Sequence, residues 1–283
     1  MALVDIIRKV VPSKQRRIIG RWAVSQASRT SFTLQLYLRI LHKGALKDLR
    51  IKKGQCVLNY MGREIVAPRN SAGIFLEVFQ NEVYEKFWSP QKGDIVLDVG
   101  AYVGMFTIKA AKMVGPNGLV VAIEPEPYWY SLLEENTRGL DNVVLIKKAI
   151  CDKEGYAKLF HSKTPGGDAL IQAWKDYVEV ETTTLDKLVE RLKLPKVDFI
   201  KMDAEGVELA VLRGAKNILK GDVKLAMSSY HTFPEGGSEH PGVVNLLSGI
   251  GFKVITKRGL AGYIYATRNT NWGKLKQKKE AQK

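Results

Sequence analysis

Two five-residue apolar runs, Ile95–Val99 and Leu119–Ile123, bracket a glycine turn and a stretch of helical spacing, and this arrangement restricts the fold more than any other feature. Runs so largely apolar, with Asp98 the one exception, suit strands buried on both faces of a parallel sheet. Between them, residues 104–114 carry the helical period, and Gly115-Pro-Asn-Gly118 turns the chain into the second strand. A βαβ unit follows, because parallel neighbours need a crossover. The first strand runs into Asp98-Val-Gly-Ala-Tyr-Val-Gly104, whose two glycines let backbone approach a ligand at the carboxyl edge of the sheet. The second runs into Glu124-Pro125-Glu126, which sets a carboxylate 24 residues beyond Gly100, placed to accept hydrogen bonds from both hydroxyls of a ribose.

The alternation continues. Helices are predicted at about residues 127–138, 185–192, 207–219 and 243–250, and strands at residues 143–146, 197–202 and 223–227. Residues 252–256 and 262–266 read as a closing antiparallel pair. Together these make an α/β sheet of mostly parallel strands over residues 93–267. Ahead of it, residues 54–92 read as a small β-hairpin around Met61-Gly62-Arg63 and a helix over residues 72–87. Residues 1–53 read as a helical extension, with Leu3, Ile6, Ile7, Val10 and Val11 at helical spacing, and residues 268–283 as a basic, disordered tail.

The net charge of +15 belongs to the ends. Residues 1–53 hold thirteen Lys or Arg against Asp5 and Asp48, and residues 268–283 hold six against Glu280, which leaves the other 214 residues at −1. Two cysteines, Cys56 and Cys151, exclude a disulfide framework and point to a reducing, cytoplasmic setting. The N-terminus lacks the pattern of a secretory signal, and no run of 18 apolar residues is present to span a bilayer.

The chemistry concentrates at the carboxyl edge. A dinucleotide site wants Gly-x-Gly-x-x-Gly for its pyrophosphate, and here Ala101 and Tyr102 stand where the second glycine belongs. Asp98 would repel a pyrophosphate but suits the sulfonium and amino group of S-adenosylmethionine (SAM). Val197-Asp-Phe-Ile-Lys-Met-Asp-Ala-Glu-Gly206 brings Asp203, Glu205 and Glu208 to another strand-to-helix turn. Glu205 and Glu208 also fit simple first-turn acids of a helix. Transfer of a methyl group to an alcohol needs a base, and the candidates are Asp203, Glu205 and His231. Two ligands, Asp203 and His231, are too few to argue a metal, and no metal is expected to be required.

Four motifs in this order, Asp98-Val-Gly-Ala-Tyr-Val-Gly, Ala122-Ile-Glu-Pro-Glu-Pro, Thr183-Thr-Leu-Asp and Ile200-Lys-Met-Asp-Ala-Glu-Gly-Val-Glu, resemble the FkbM family of methyltransferases over roughly residues 93–219. The resemblance implies a Rossmann-like class I methyltransferase fold, with a mostly parallel seven-stranded sheet whose last strand is antiparallel. It also implies SAM as cofactor and methyl transfer to a hydroxyl oxygen, often on a sugar, glycan or sugar-derived metabolite. By the same resemblance Asp98, Gly100 and Gly104, with Ala101 between them, line the methionine end of the cofactor, and Glu124, followed by Pro125, holds the ribose. Ala149 and Ile150 then fall beside the adenine, where backbone and apolar contact replace an acid.

Other readings stay open. The basic N-terminal region suits phosphates, which would fit a nucleic-acid methyltransferase, or an anionic membrane surface that brings the enzyme to its substrate. A helix packed on its own domain fits the same residues. The fold is also compatible with a non-catalytic cofactor-binding module. The polar stretch from His161 to Asp176 has the length of a substrate lid or of a surface excursion.

Overall fold

The computed structural model describes residues 48–161, 176–228, 240–256 and 262–268. The chain divides into two compact units at Val83 and Tyr84. The expected N-terminal helices, the tail, the 162–175 stretch and His231 lie outside the described residues.

In the first unit, β1 (Arg50–Lys52), β2 (Gln55–Tyr60) and β3 (Arg63–Pro68) form an antiparallel sheet. Met61 and Gly62, at φ 50° and 84°, make the tight turn between β2 and β3, and Asn59 Oδ1 accepts from Gly62 N at 3.1 Å. The hairpin extends one strand further than the sequence indicated, because Arg50–Lys52, assigned above to the helical extension, pairs with Gln55–Val57. The helix expected over residues 72–87 is also shorter. α1 (Ala72–Phe75) widens into a π-helical stretch, Leu76–Gln80, and stops, with Glu82 in the left-handed region at φ 48°.

The second unit is a seven-stranded sheet with a smaller one beside it. Its elements are β4 (Ile95–Val99), α2 (Met105–Val114), β5 (Leu119–Ile123), α3 (Pro127–Thr137), β6 (Val143–Ile146), β7 (Ala149–Ile150), β8 (Gly155–Phe160), β9 (Tyr177–Thr183) and α4 (Leu185–Arg191). There follow β10 (Phe199–Met202), α5 (Glu208–Arg213), β11 (Lys224–Ser228), α6 (His240–Gly249), β12 (Lys253–Thr256) and β13 (Tyr263–Thr267). The main sheet runs β12-β13-β11-β10-β4-β5-β6, with β13 antiparallel to both neighbours and the other pairings parallel. This strand order is the class I methyltransferase architecture that the resemblance implies. β7, β9 and β8 form a second sheet, in that order, which the alternation of helix and strand did not reveal.

Side chains alternate across the strands. Leu97, Val99, Ile200, Met202, Leu225 and Met227 share one apolar core with Leu185 and Leu188 of α4, Val211 and Leu212 of α5, and Val243 and Leu247 of α6. The other face carries charge: Asp98 and Lys201 alternate with Val96 and Phe199, and all four are buried. The helix expected over residues 207–219 breaks at Gly214, where a Cβ would lie 2.3 Å from the Cys151 carbonyl oxygen. After β4 the chain moves outward to β5 and β6, and then returns to the opposite side of β4 to form β10. The carboxyl ends of β4 and β10 therefore flank a topological switch point, where open α/β sheets bind ligands.

Candidate functional site at the carboxyl edge of the sheet

The turn after β4 is bound to both neighbouring strands. Gly100 N and Ala101 N donate to the Ile123 carbonyl at 3.0 and 2.9 Å, and Asp203 N donates to the Val99 carbonyl at 3.0 Å. Gly100 has φ 71°, and a Cβ on it would lie 1.9 Å from the Asp203 carbonyl oxygen. The missing Cβ at Gly100 thus makes room for backbone of the next crossover loop. Gly104, at φ 87°, starts α2, and a Cβ there would press to 2.7 Å of Leu133 Cδ1 on α3.

Tyr102 is a non-glycine residue in the left-handed region, at φ 54°. Its backbone N–H donates to Glu124 Oε2 at 2.8 Å, and its ring meets Trp129 at 4.9 Å between centroids. Glu126 N donates to Glu124 Oε1 at 3.0 Å. Glu124 is buried, and that burial pushes its carboxyl from 4.5 up to about 8, against the lowering effect of the two N–H donors and of the Lys201 ammonium. Glu126 caps α3 by accepting from Trp129 N at 2.7 Å, and Pro125, half-buried, links the two acids.

Asp98 is completely enclosed. Its Oδ2 accepts from Thr107 Oγ1 at 2.6 Å, and its Oδ1 faces Lys201 Nζ at 3.1 Å. Lys201 Nζ also donates to the Gly100 carbonyl at 2.5 Å and lies 5.4 Å from the centre of the Tyr84 ring. The Tyr84 hydroxyl in turn donates to Asp203 Oδ2 at 2.9 Å. Of the three candidate bases, Asp203 and Glu205 stand half-buried in the loop after β10. Glu205 is held in the left-handed region at φ 51°. Glu208 belongs to the loop itself: it is fully buried, and its Oε1 accepts from Ala204 N and Gly206 N, each at 3.2 Å.

The site thus gathers Asp98, Gly100, Ala101, Gly104, Glu124, Pro125, Asp203 and Glu205 around one switch point. Ala149 and Ile150 are placed otherwise: both are buried, with Ala149 packed near Leu159 and Val180 and Ile150 in the main core. Their side chains serve packing, and their backbone pairs with Thr182 and Thr183 of β9.

Sequence reasoning missed Thr107, Lys201 and Tyr84. Lys201 had a signal, a charge inside the apolar strand Phe199–Met202. Tyr84 had none, being 119 residues from its partner. Among the described residues no group of three or more His, Cys, Asp or Glu is arranged to hold a metal, and no helix is long and apolar enough to cross a membrane.

Residues 98–254 match the family described as "Methyltransferase FkbM domain". Over 131 residues the chain is 28% identical to "Hexuronic acid methyltransferase AglP" of Haloferax volcanii, covering 46% of this chain and 53% of that protein. Over 144 residues it is 28% identical to "2-O-methyltransferase NoeI" of Sinorhizobium fredii, covering 44% of this chain and 58% of that protein. The chain spans about half the length of these curated relatives. Among solved structures, a SAM-dependent methyltransferase from Aquifex aeolicus matches at 22% identity and TM-score 0.41, over 68% of this chain and 90% of that one. Aeropyrum pernix fibrillarin with natively bound SAM matches at 15% identity and TM-score 0.47, over 77% and 84%. The fold assignment rests on the strand order itself.

Proposed function

Because the chain belongs to the FkbM methyltransferase family, which is SAM-dependent, we propose that it transfers the methyl group of SAM to a hydroxyl oxygen of a sugar, in a glycan or a small sugar-derived metabolite. The observation that carries this reading is the junction of the two crossover loops at Gly100 and Asp203, which sets the glycine turn and a candidate base at one switch point. The names of two relatives, a hexuronic acid methyltransferase and a 2-O-methyltransferase, support a sugar hydroxyl as acceptor.

The residues fit SAM. Glu124 presents a buried carboxyl with two backbone donors, and a carboxylate has about four acceptor positions, which leaves room for two ribose hydroxyls. Among the described residues, Asp98 Oδ1 is buried without a hydrogen bond and the Lys201 ammonium faces it. When bound, SAM supplies an electrophilic methyl on a cationic sulfur. Glu124 holds the ribose, and the Gly100–Gly104 turn holds the methionine end. Asp203 accepts the proton that the acceptor hydroxyl loses as its oxygen attacks, and Glu205 orients that hydroxyl. Holding the reactants in line supplies most of the acceleration, and a positioned base contributes about 10²–10⁴-fold. His231 remains a proposed alternative base. No metal enters this reading, so turnover is expected to survive a chelator. The basic residues 1–53 are proposed to contact an anionic surface.

The test is transfer of tritium from methyl-labelled SAM into glycan, lipid, nucleic-acid and small-metabolite fractions of a cell extract. Label is expected on sugar oxygen in the glycan or small-metabolite fraction, and an Asp203→Asn variant is expected to lose it. Label in nucleic acid would turn the reading to the alternative that the basic termini favour, and SAM binding without transfer to any fraction would make the protein a binding module.

A further inference from the structure

Lys201 stands at the centre of the sheet, with Phe199, Ile200 and Met202 all buried beside it. A lysine is costly there unless its ammonium is paired. Its Nζ reaches the carboxyl end of β4, where it lies 3.1 Å from Asp98 Oδ1, 2.5 Å from the Gly100 carbonyl oxygen and 3.4 Å from that of Val99. Asp98 is wholly enclosed, and its other oxygen is held by Thr107. The acid that the sequence offers to a cationic ligand is therefore not bare: a fixed positive charge sits directly beneath the glycine turn.

We propose that Lys201, by neutralising Asp98 from beneath that turn, sets how strongly the pocket prefers SAM over its product S-adenosylhomocysteine, whose sulfur carries no charge. The inference rests on the reading of SAM as the donor. Its logic is electrostatic. Donor and product differ by one methyl and one positive charge, so a buried anion under the turn would hold the donor selectively, all the more in a low-dielectric site. During transfer the positive charge leaves sulfur, so an interaction that favours the sulfonium stabilises the ground state more than the transition state and slows the chemical step. A neutral Asp98–Lys201 pair keeps the position of the turn, through the Gly100 carbonyl, without that penalty. Lys201 is a positioning residue here, and the pair tunes discrimination between two ligands of nearly equal shape.

The test is calorimetric titration of SAM and of S-adenosylhomocysteine into four proteins: wild type, Asp98→Asn, Lys201→Met and the double variant. The ratio of the two dissociation constants is the readout, and no acceptor is needed. Asp98→Asn leaves an unopposed cation, and preference for SAM is expected to fall about tenfold. Lys201→Met leaves an unopposed anion, and the preference is expected to rise by a similar factor. The double variant, with neither charge, is expected to return to within about twofold of wild type. Both ligands weakening by the same factor in each single variant would show a purely structural pair and overturn the proposal. If Lys201→Met does not fold by circular dichroism, Asp98→Asn and the double variant decide alone, since a neutral pair of similar volume is commonly tolerated where a broken one is not. Wild type binding neither ligand would instead refute the donor reading, and the inference with it.

Discussion

The Tyr84 hydroxyl donates to Asp203 Oδ2 at 2.9 Å and joins the segment ahead of the sheet to the loop after β10. Tyr84 is buried between the edges of Phe106 and Tyr263, at 5.5 and 5.8 Å between ring centroids, so its ring is fixed independently of that hydrogen bond. Tyr84→Phe then removes one contact and leaves the packing. With Asp203 as base, kcat for sugar methylation is expected to fall about tenfold while the SAM dissociation constant stays within about twofold. In an Asp203→Asn background the same change is expected to have no further effect on kcat. Equal losses in both backgrounds would separate Tyr84 from Asp203.

Glu124 predicts proton-linked binding. Burial raises its carboxyl from 4.5 to about 8, so near neutral pH the free protein holds a proton there that the unfolded chain releases. The folded state thus binds more protons between those values. Glu124 contributes stability that is fully present below about pH 4.5 and is lost as pH rises through about 8. Ribose hydroxyls donating to the carboxylate favour its ionised form, so SAM binding at pH 7 is expected to release a proton, and affinity to rise with pH up to about 8. Calorimetry in buffers of different ionisation enthalpy measures that proton, and Glu124→Gln is expected to abolish it. Proton uptake on binding would reverse the sign and refute the assignment.

Gly100→Ala is expected to disrupt the site. Its Cβ would lie 1.9 Å from the Asp203 carbonyl, a backbone atom that cannot swing aside, and φ is 71°. A cost of about 3 kcal/mol or more is expected, from overpacking added to left-handed strain. Gly93→Ala is the control: φ is 82° but nothing lies within 4 Å of its Cβ, so only the strain of a positive φ, about 1–2 kcal/mol, is expected. Denaturant unfolding of the two variants reads the difference, and equal losses would mean that the junction with Asp203 yields.

Lys109 of α2 and Glu85 form a buried ion pair at 2.8 Å, with side chains 7% and 3% exposed. Glu85→Ala is expected to destabilise the protein by about 3–5 kcal/mol, because it removes the carboxylate that faces a buried ammonium. Glu85→Leu with Lys109→Met is expected to recover most of that loss in the same unfolding measurement. A Glu85→Ala protein as stable as wild type would show that water reaches Lys109.

The parallel core was legible because β4, β5, β6, β10 and β11 are short, mainly apolar runs next to helical periods, and burial in the sheet enforces both patterns. The glycine turn was legible because a strand that runs straight into a helix demands particular residue types at a given spacing, and Glu124 because it ends the next apolar run. β8 and β9 were not: Gly155–Phe160 and Tyr177–Thr183 carry exposed polar and aromatic residues, and their pairing joins residues as far apart in the chain as Gly155 and Thr182. Spacing also gave no sign that Gly100 makes room for the Asp203 carbonyl and left the charge of Asp98 uncompensated, because Lys201 of β10 and Asp203 just after it lie about a hundred residues further along the chain. Long-range polar pairing leaves almost no local trace, and here it decides the electrostatics of the site.

The most direct test of the account is titration of SAM into wild type and Glu124→Ala. The account predicts saturable, one-to-one binding to wild type, weakened by at least about thirtyfold in Glu124→Ala through loss of both ribose contacts. No binding of SAM by wild type, or undiminished binding by Glu124→Ala, would contradict it.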